Sequence, residues 1–375
     1  MPVDSVVIVG AGTFGASLAW WLARARVRVT LVDQFAPGDE RATSGGESRL
    51  IRFAHGPDGH YAASARRART LWRELEAECG EALLEECGVT WFARAPDGWE
   101  ARSAQVLDGL GIPCERLEPE AGLRLFPSFD PSGLTFLLHE PEAGVLRAQR
   151  AIRALARRAV AHGAERIEAK ASPDGPRVRL GDGRTLDADA VVWACGPWLG
   201  RLFGELVSIE VRRQELYFLA GGPAWRTPGV PAYVDFDGAF YGTGDLDGLG
   251  VKAAPDGDGP PLDPDAPLPP VSAAGEAAVR AWLRARFPAL ADAPLAGGRT
   301  CRYELSADGD FVVAEHPEHA GVWLCGGGSG HGFKHGPAVA EQLAGALRGT
   351  VALPARYGLG DRSAGRALRT AGAGR

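Results

Sequence analysis

Ser5-Val6-Val7-Ile8-Val9-Gly10-Ala11-Gly12-Thr13-Phe14-Gly15 decides the fold. The apolar run 5–9 has the length and composition of a strand buried on both faces. It runs into Gly-x-Gly-x-x-Gly, then into a helical pattern over 16–25, then into a second short strand, 29–32, that ends on Asp33. A strand, a glycine turn, a helix and an acid about twenty residues on make the dinucleotide fingerprint. Gly10 allows the tight turn, Gly12 lets the backbone approach a pyrophosphate, and Gly15 lets the helix pack on the strand. The helix start offers free N–H groups and a positive dipole end to phosphates. Asp33 can accept hydrogen bonds from the hydroxyls of an adenosine ribose and argues against a 2′-phosphate there. The motif serves FAD and NAD equally, and a bare glycine turn is the uneventful alternative.

The rest of the composition bounds the class. A chain of 375 residues suggests two domains. An apolar fraction of 45% is ample for a core. A net charge of −6 argues against a nucleic-acid partner. No apolar run of about 18 residues suggests a membrane span, and the early first strand leaves no room for a signal peptide. Six cysteines, at 79, 87, 114, 195, 301 and 325, show neither CxxC spacing nor a disulfide framework. Reduced thiols and a cytoplasmic location are the expectation.

Along the chain, residues 42–52 are polar and glycine-containing, with Arg49 and Arg52 spaced to share a helix face. They read either as a solvated basic face or as an anion site. Residues 61–78 predict an amphipathic helix, and 83–139 short strands and turns. Residues 144–163 predict a helix with a basic face, and 165–187 a small meander. Residues 189–198 predict a buried strand returning to the nucleotide-binding sheet. Antiparallel strands follow over 214–219, 232–235 and 239–242. Residues 253–270 are rich in Pro, Gly and Asp and read as a lid or a disordered loop. A helix over 274–287, strands over 295–305, 311–314 and 321–325, a glycine-rich turn at 326–334 and a helix over 337–347 complete the pattern. The Gly/Ala/Arg tail from Gly358 reads as disordered.

With these residues in view, the chain resembles the monomeric sarcosine oxidase and N-methyltryptophan oxidase family of flavoenzymes, nearly end to end. Gly10–Gly15 with Asp33 looks like its FAD fingerprint. Ser48-Arg49-Leu50-Ile51-Arg52 is similar to its Thr-Arg-Ile-Ile-Arg. Tyr241, eleven residues before Lys252, matches the spacing of its active-site tyrosine and oxygen-activating lysine. Thr300-Cys301-Arg302-Tyr303 resembles its Cys-x-Tyr, whose sulfur carries the flavin covalently. Ser329-Gly330-His331-Gly332-Phe333-Lys334 is nearly its Ser-Gly-His-Gly-Phe-Lys. Two positions depart: Asp256 and Gly45 stand where sarcosine oxidases carry histidines. The resemblance therefore implies the flavin site and the reaction class, and leaves sarcosine itself open.

What the resemblance implies is an α/β chain: a Rossmann-like FAD-binding domain (1–82, 141–211, 305–375) interleaved with a mixed-sheet substrate domain (83–140, 212–304). Cofactor contacts are expected from Gly10, Ala11, Gly12, Thr13, Phe14, Gly15, Asp33, Ser44, Ser48, Arg49, Cys195, Gly196, Trp198, Gly330, His331, Gly332, Phe333 and Lys334, with FAD covalent through Cys301. Arg52 and Lys334 are expected to clamp a substrate carboxylate, Lys252 to serve oxygen, Arg49 to lie near the flavin ring, and Tyr241 and Tyr303 to line the substrate cavity. No metal is implied. The expected reaction takes a secondary or cyclic amino acid to an imine and O2 to H2O2. An imino-acid oxidase that aromatises a cyclic imine in antibiotic biosynthesis stays in play. An NAD-dependent dehydrogenase and a non-catalytic flavoprotein are the rivals.

Overall fold

The computed structural model describes residues 3–360, Arg362 and Arg369. Strand β1, Ser5–Val9, lies inside a six-stranded sheet, with helix α1, Thr13–Arg24, and strand β2, Arg28–Asp33, following it. β1 pairs in parallel with β2 on one side and with Ala190–Trp193 on the other. Both faces of β1 are covered, which is why its sequence is continuously apolar. Glu165–Glu168 extends the sheet beyond β2, Val322–Gly326 lies beyond Ala190–Trp193, and Val312–Glu315 closes that edge antiparallel. The chain thus leaves this sheet and returns to it three times.

Two glycines make the first turn possible. Gly10 has φ +108°, and a Cβ there would lie 2.2 Å from the Ala194 carbonyl oxygen. A Cβ on Gly15 would lie 1.9 Å from the Gly10 oxygen, so α1 could not seat on its strand. α1 packs between the helices Ala148–Ala161 and Gly336–Leu347 through Phe14, Leu18, Leu22 and small alanines.

The second large sheet has eight strands, in the order Leu295–Ser306, Ile209–Leu219, Val251–Pro255, Phe240–Asp245, Ala232–Asp235, Val89–Ala93, Phe136–Glu140, Glu115–Leu117. Only Ala232–Asp235 and Val89–Ala93 run parallel within it. On one face Phe92 and Tyr233 cluster with Phe126, Phe129 and Phe287 from the segments packed against the sheet. A small sheet of Ser48–Ile51, Gly144–Arg147 and Leu84–Glu85 stands beside helix Gly59–Cys79.

Several elements differ from expectation. Residues 48–51 form a strand, so Arg49 and Arg52 share no helix face. Gly144–Arg147 is a strand, and the helix begins at Ala148. Glu165–Glu168 joins the parallel sheet, while the meander is Ala171–Asp174, Arg177–Leu180 and Thr185–Leu186. The segment 83–139 also holds a helix, Trp99–Gly109. The 253–270 segment is ordered: Arg213 N–H donates to the Pro260 oxygen, Leu262 N–H to Val211, and the Thr300 hydroxyl to Pro269. Its prolines remove donors, so other elements supply the bonds that hold it. Just before the tail Arg356 pairs with Asp58 and Asp310; within it Arg362 pairs with Asp308, and Arg369 is buried. The remainder of the tail, 361, 363–368 and 370–375, lies outside the described residues. Among the described residues no helix is long and apolar enough to cross a membrane.

Candidate active site

Two cavities meet between the sheets. The first, of about 310 Å³, opens at the end of β1. Gly10, Gly12, Thr13, Phe14, Asp33, Ser44, Arg49, Cys195, Gly196, Trp198, Gly330, Gly332 and Phe333, all named above as candidate cofactor contacts, line it. No side chain caps the start of α1, so its first N–H groups stay open to a ligand. Asp33, at the end of β2, accepts from Ala11 N–H at 2.5 Å and Phe35 N–H at 2.9 Å. Burial raises its carboxyl above the usual range, and those two N–H groups oppose the rise. Ala11 and Gly15 shape the turn from behind without lining the cavity.

Glu304 also lines this cavity, and nothing in the sequence pattern singled it out. It is buried, and Oε1 accepts from Gly328 N–H at 3.0 Å. Oε2 has no partner among the described residues and faces Gly196. Burial pushes its carboxyl up to about 7. Open helix N–H groups, an acid at the ribose position, an unpartnered carboxyl oxygen and the Arg49 cation form a donor and acceptor set that fits a diphosphate-bearing dinucleotide such as FAD.

The second cavity, of about 50 Å³, shares Arg49, Tyr303, Gly330 and Phe333 with the first. Arg52, Tyr241, Asp256, His331, Lys334 and Arg369 complete its charged and polar wall. Arg52 is buried; its Nη1 donates to the Ala54 oxygen at 2.5 Å and its guanidinium lies 5.1 Å from the Trp91 ring centre. Behind it Glu140, fully buried, accepts from Phe53 N–H, Ala54 N–H and Trp91 Nε1–H at 2.7, 2.9 and 2.6 Å. Burial lowers Arg52 to about 10, against the pull of Glu140 and Asp256. Lys334 Nζ donates to the His331 oxygen at 2.8 Å. Burial and Arg52 hold the Lys334 ammonium well below its ordinary value. A substrate carboxylate placed here restores that charge, so these two cations form an anion seat. The Tyr241 and Tyr303 hydroxyls meet at 3.2 Å.

Lys252 is 1% exposed on the strand Val251–Pro255. Its Nζ lies 3.4 Å from both the Ser48 oxygen and Oγ. Burial first, then Arg49 and Arg299, bring it down to about 7, with Glu47 opposing. Lys252 and Ser48 line neither cavity; the Tyr241 ring stands between Lys252 and the second. Cys301 is 2% exposed and packs with Leu216, Phe218, Ala254 and Tyr303, two residues from the tyrosine that lines both cavities. His331 and Lys334, expected as cofactor contacts, belong to the second cavity and not the first. His331 stands with His55 and His335, their facing nitrogens within 4.8 Å of one another. Burial and the Lys334 and Arg52 cations hold all three imidazoles neutral, and the same cations oppose a metal ion between them.

Sequence reading missed Glu140, Glu304 and Arg369. Glu140 had a faint signal, at the end of a strand that opens on the buried apolar run Phe136-Leu137-Leu138; Glu304, in a strand whose first half is exposed or half-buried, had none. Arg369 had none, because the tail composition reads as unfolded.

Comparison with known proteins agrees with this geometry. The family model "FAD dependent oxidoreductase" matches residues 5–346. The monomeric sarcosine oxidase of Bacillus sp. (strain B-0618) is 30% identical over 357 residues, 90% of this chain and 90% of that protein. The N-methyl-L-tryptophan oxidase of Yersinia pestis (strain Pestoides F) is 27% identical over 354 residues, 90% of this chain and 93% of that one. Among solved structures, the L-proline dehydrogenase from P. horikoshii superposes with a TM-score of 0.83 at 21% identity, covering 96% of this chain and 98% of that one. That likeness concerns the fold.

Proposed function

The chain belongs to the FAD dependent oxidoreductase family, and from that premise we propose that it oxidises a secondary or cyclic amino acid to the imine while O2 becomes H2O2. Two electrons and two protons leave the substrate C–H and N–H and arrive on oxygen, so the reaction balances without a further reductant. One observation carries the substrate class: Arg52 and Lys334, far apart in sequence, converge on one small cavity that opens onto the fingerprint cavity. A carboxylate is the ligand such a pair suits.

Bound in the first cavity, FAD supplies the two-electron acceptor. The start of α1 would hold its diphosphate and Asp33 its adenosine ribose. Cys301 is the candidate for a thioether link, on the strength of the Cys-x-Tyr resemblance. Arg49 would place a cation beside the ring system. Arg52 and Lys334 fix the substrate carboxylate, which orients the α-carbon and leaves the amine toward Tyr241 and Tyr303. Lys252 holds a buried cation where negative charge develops on oxygen.

The test is a panel of N-methyl and cyclic amino acids, each assayed for anaerobic bleaching of the purified yellow protein and for peroxide. A colourless protein that reduces or oxidises nicotinamide would mean a dehydrogenase. A yellow protein that no amino acid bleaches would mean a flavin-binding protein without this activity. Peroxide counted per substrate molecule separates one oxidation from the two that aromatising a cyclic imine requires.

A further inference from the structure

The far wall of the second cavity is a socket for a cation. Asp256 ends the strand Val251–Pro255 and is 6% exposed. Its carboxylate, its backbone oxygen, the Asp258 carboxylate and the face of the Tyr303 ring converge on one point. The Arg369 guanidinium fills that point. Its Nη1 donates to the Asp256 carbonyl oxygen, and to Asp256 Oδ1 at 3.0 Å; its Nη2 donates to Asp258 Oδ1 at 2.6 Å. The guanidinium carbon lies 5.1 Å from the Tyr303 ring centre. Two carboxylates, a carbonyl and an aromatic face surround this one guanidinium, and the Arg52 cation faces Asp256 from the anion seat.

The socket does not depend on its plug. The Gly257 oxygen accepts from Gln214 Nε2, Arg213 N–H donates to Pro260, and Asp256 N–H donates to Ala239, each at 2.8, 2.8 and 2.7 Å. None of these bonds involves Arg369, and they tie the acidic loop to the eight-stranded sheet. With Arg369 in place the cavity is about 50 Å³, space for roughly four waters. An α-carboxylate and its amine use that space, and a longer side chain needs the volume Arg369 holds.

The geometry points to a substrate with a cationic side chain. Resting on the oxidase reading above, the inference is that Arg52 and Lys334 take the α-carboxylate while the Asp256–Asp258 socket takes a guanidinium or ammonium at the other end, in the place that Arg369 holds in the free enzyme. Arg369 is then an internal stand-in for the substrate and a competitor with it, and Asp256 is the residue that sets specificity.

The experiment has two arms on the purified holoenzyme. In the first, kcat/KM is compared for Nα-methyl-L-arginine, Nα-methyl-L-lysine, Nα-methyl-L-norleucine and Nα-methyl-L-glutamate. The wild type should favour the two cationic substrates over norleucine by about 10-fold or more, on the order of one charge-assisted contact. D256N should bring that ratio near one, and R369A should widen it. A wild type that prefers glutamate and loses it in R369A would show that Arg369 binds a second carboxylate, and the inference would be overturned. So would a cationic preference that D256N leaves intact. The second arm needs no turnover. Methylguanidinium at millimolar concentration should raise the Tm of R369A and leave that of R369A/D256N unmoved. No shift in R369A overturns the socket even if every substrate fails. Failure of all four substrates to bleach the flavin, with the Tm shift present, counts against the oxidase reading alone.

Discussion

The Lys252 ammonium lies 4.9 Å from the centre of the Tyr241 ring, in a dry space closed by the Ser48 hydroxyl and carbonyl. An aromatic face, two long contacts to Ser48 and the more distant Glu47 do not offset its burial and the Arg49 and Arg299 cations. The lysine keeps much of its electrostatic strength for whatever negative charge comes near.

Replacing Lys252 by Met removes that charge and keeps the volume. Anaerobic flavin reduction should stay within about 3-fold of wild type, while reoxidation by O2 slows by about 10²-fold or more. Stopped-flow separates the two half-reactions. Equal slowing of both would make Lys252 a substrate-positioning residue instead.

The same lysine has a pH signature in stability. Its pKa falls from 10.5 in the unfolded chain to about 7 in the fold. Between those values the unfolded state binds the extra proton, so stability rises with pH across that window and is lowest below about pH 7. Wild type should therefore gain on Lys252→Met by up to about 1.4 kcal/mol per pH unit from pH 7 to 10 in the cofactor-free protein. Urea melts of both proteins at each pH measure it. Parallel curves would place Lys252 in wetter surroundings than described.

Arg52→Ala or Lys334→Ala should each lower kcat/KM for the amino-acid substrate by about 10²-fold or more, since each leaves a buried carboxylate short of a charge-assisted bond. The amide of the same substrate should lose a similar factor on the wild type and little more on either variant. An amide turned over as fast as the acid would remove the carboxylate from the account. Because Lys334 is held below its ordinary pKa by burial and Arg52, carboxylate binding should take up protons, and affinity should weaken as pH rises. Isothermal titration in buffers of different ionisation enthalpy reads that uptake.

Denaturing the yellow protein in acid tests Cys301. Colour that stays in the pellet means a covalent flavin, and Cys301→Ala should release it to the supernatant. The Cys301→Ala protein should still fold, because the fingerprint residues Gly10, Gly12, Thr13, Phe14 and Asp33 that line the cavity come from the β1–α1–β2 unit, apart from this strand.

Glu304 should act as a neutral hydrogen-bonding group beside the cofactor. Burial raises its carboxyl to about 7, so Glu304→Gln keeps the shape and most of the hydrogen bonding at pH 6. Glu304→Leu removes the bond to Gly328 N–H and leaves that group buried and unsatisfied. Flavin content per chain at pH 6 should be near wild type for the glutamine variant and reduced for the leucine variant. A glutamine variant that loses flavin as badly as leucine would mean that the charged form is required.

The Gly10–Gly15 turn and Asp33 were legible in the linear chain because a local turn, a tight helix–strand approach and a strand-end acid each leave a residue at a set spacing. So were Arg52, Lys334, Tyr241 and Tyr303, through short motifs that resemble a known family, and the structure brings all four to one cavity. Most strands and helices of the two sheets could be anticipated from apolar runs and periodicity.

Tertiary structure alone decided the rest. The strand at Ser48–Ile51 exists because Gly144–Arg147 pairs with it, a partner about a hundred residues away that no local pattern announces. The order of 253–270 comes from bonds made with Ile209–Leu219 and Leu295–Ser306, not from its own composition. Glu140 and Glu304 became buried acids only through tertiary packing around their strands. Arg369 sits in a stretch whose residues argue for disorder, and two aspartates on a distant loop hold it all the same. A sequence lists which charges exist; which of them end up facing one another across a cavity of about 50 Å³ depends on long-range pairing, and the chain in isolation does not carry that information in any local window.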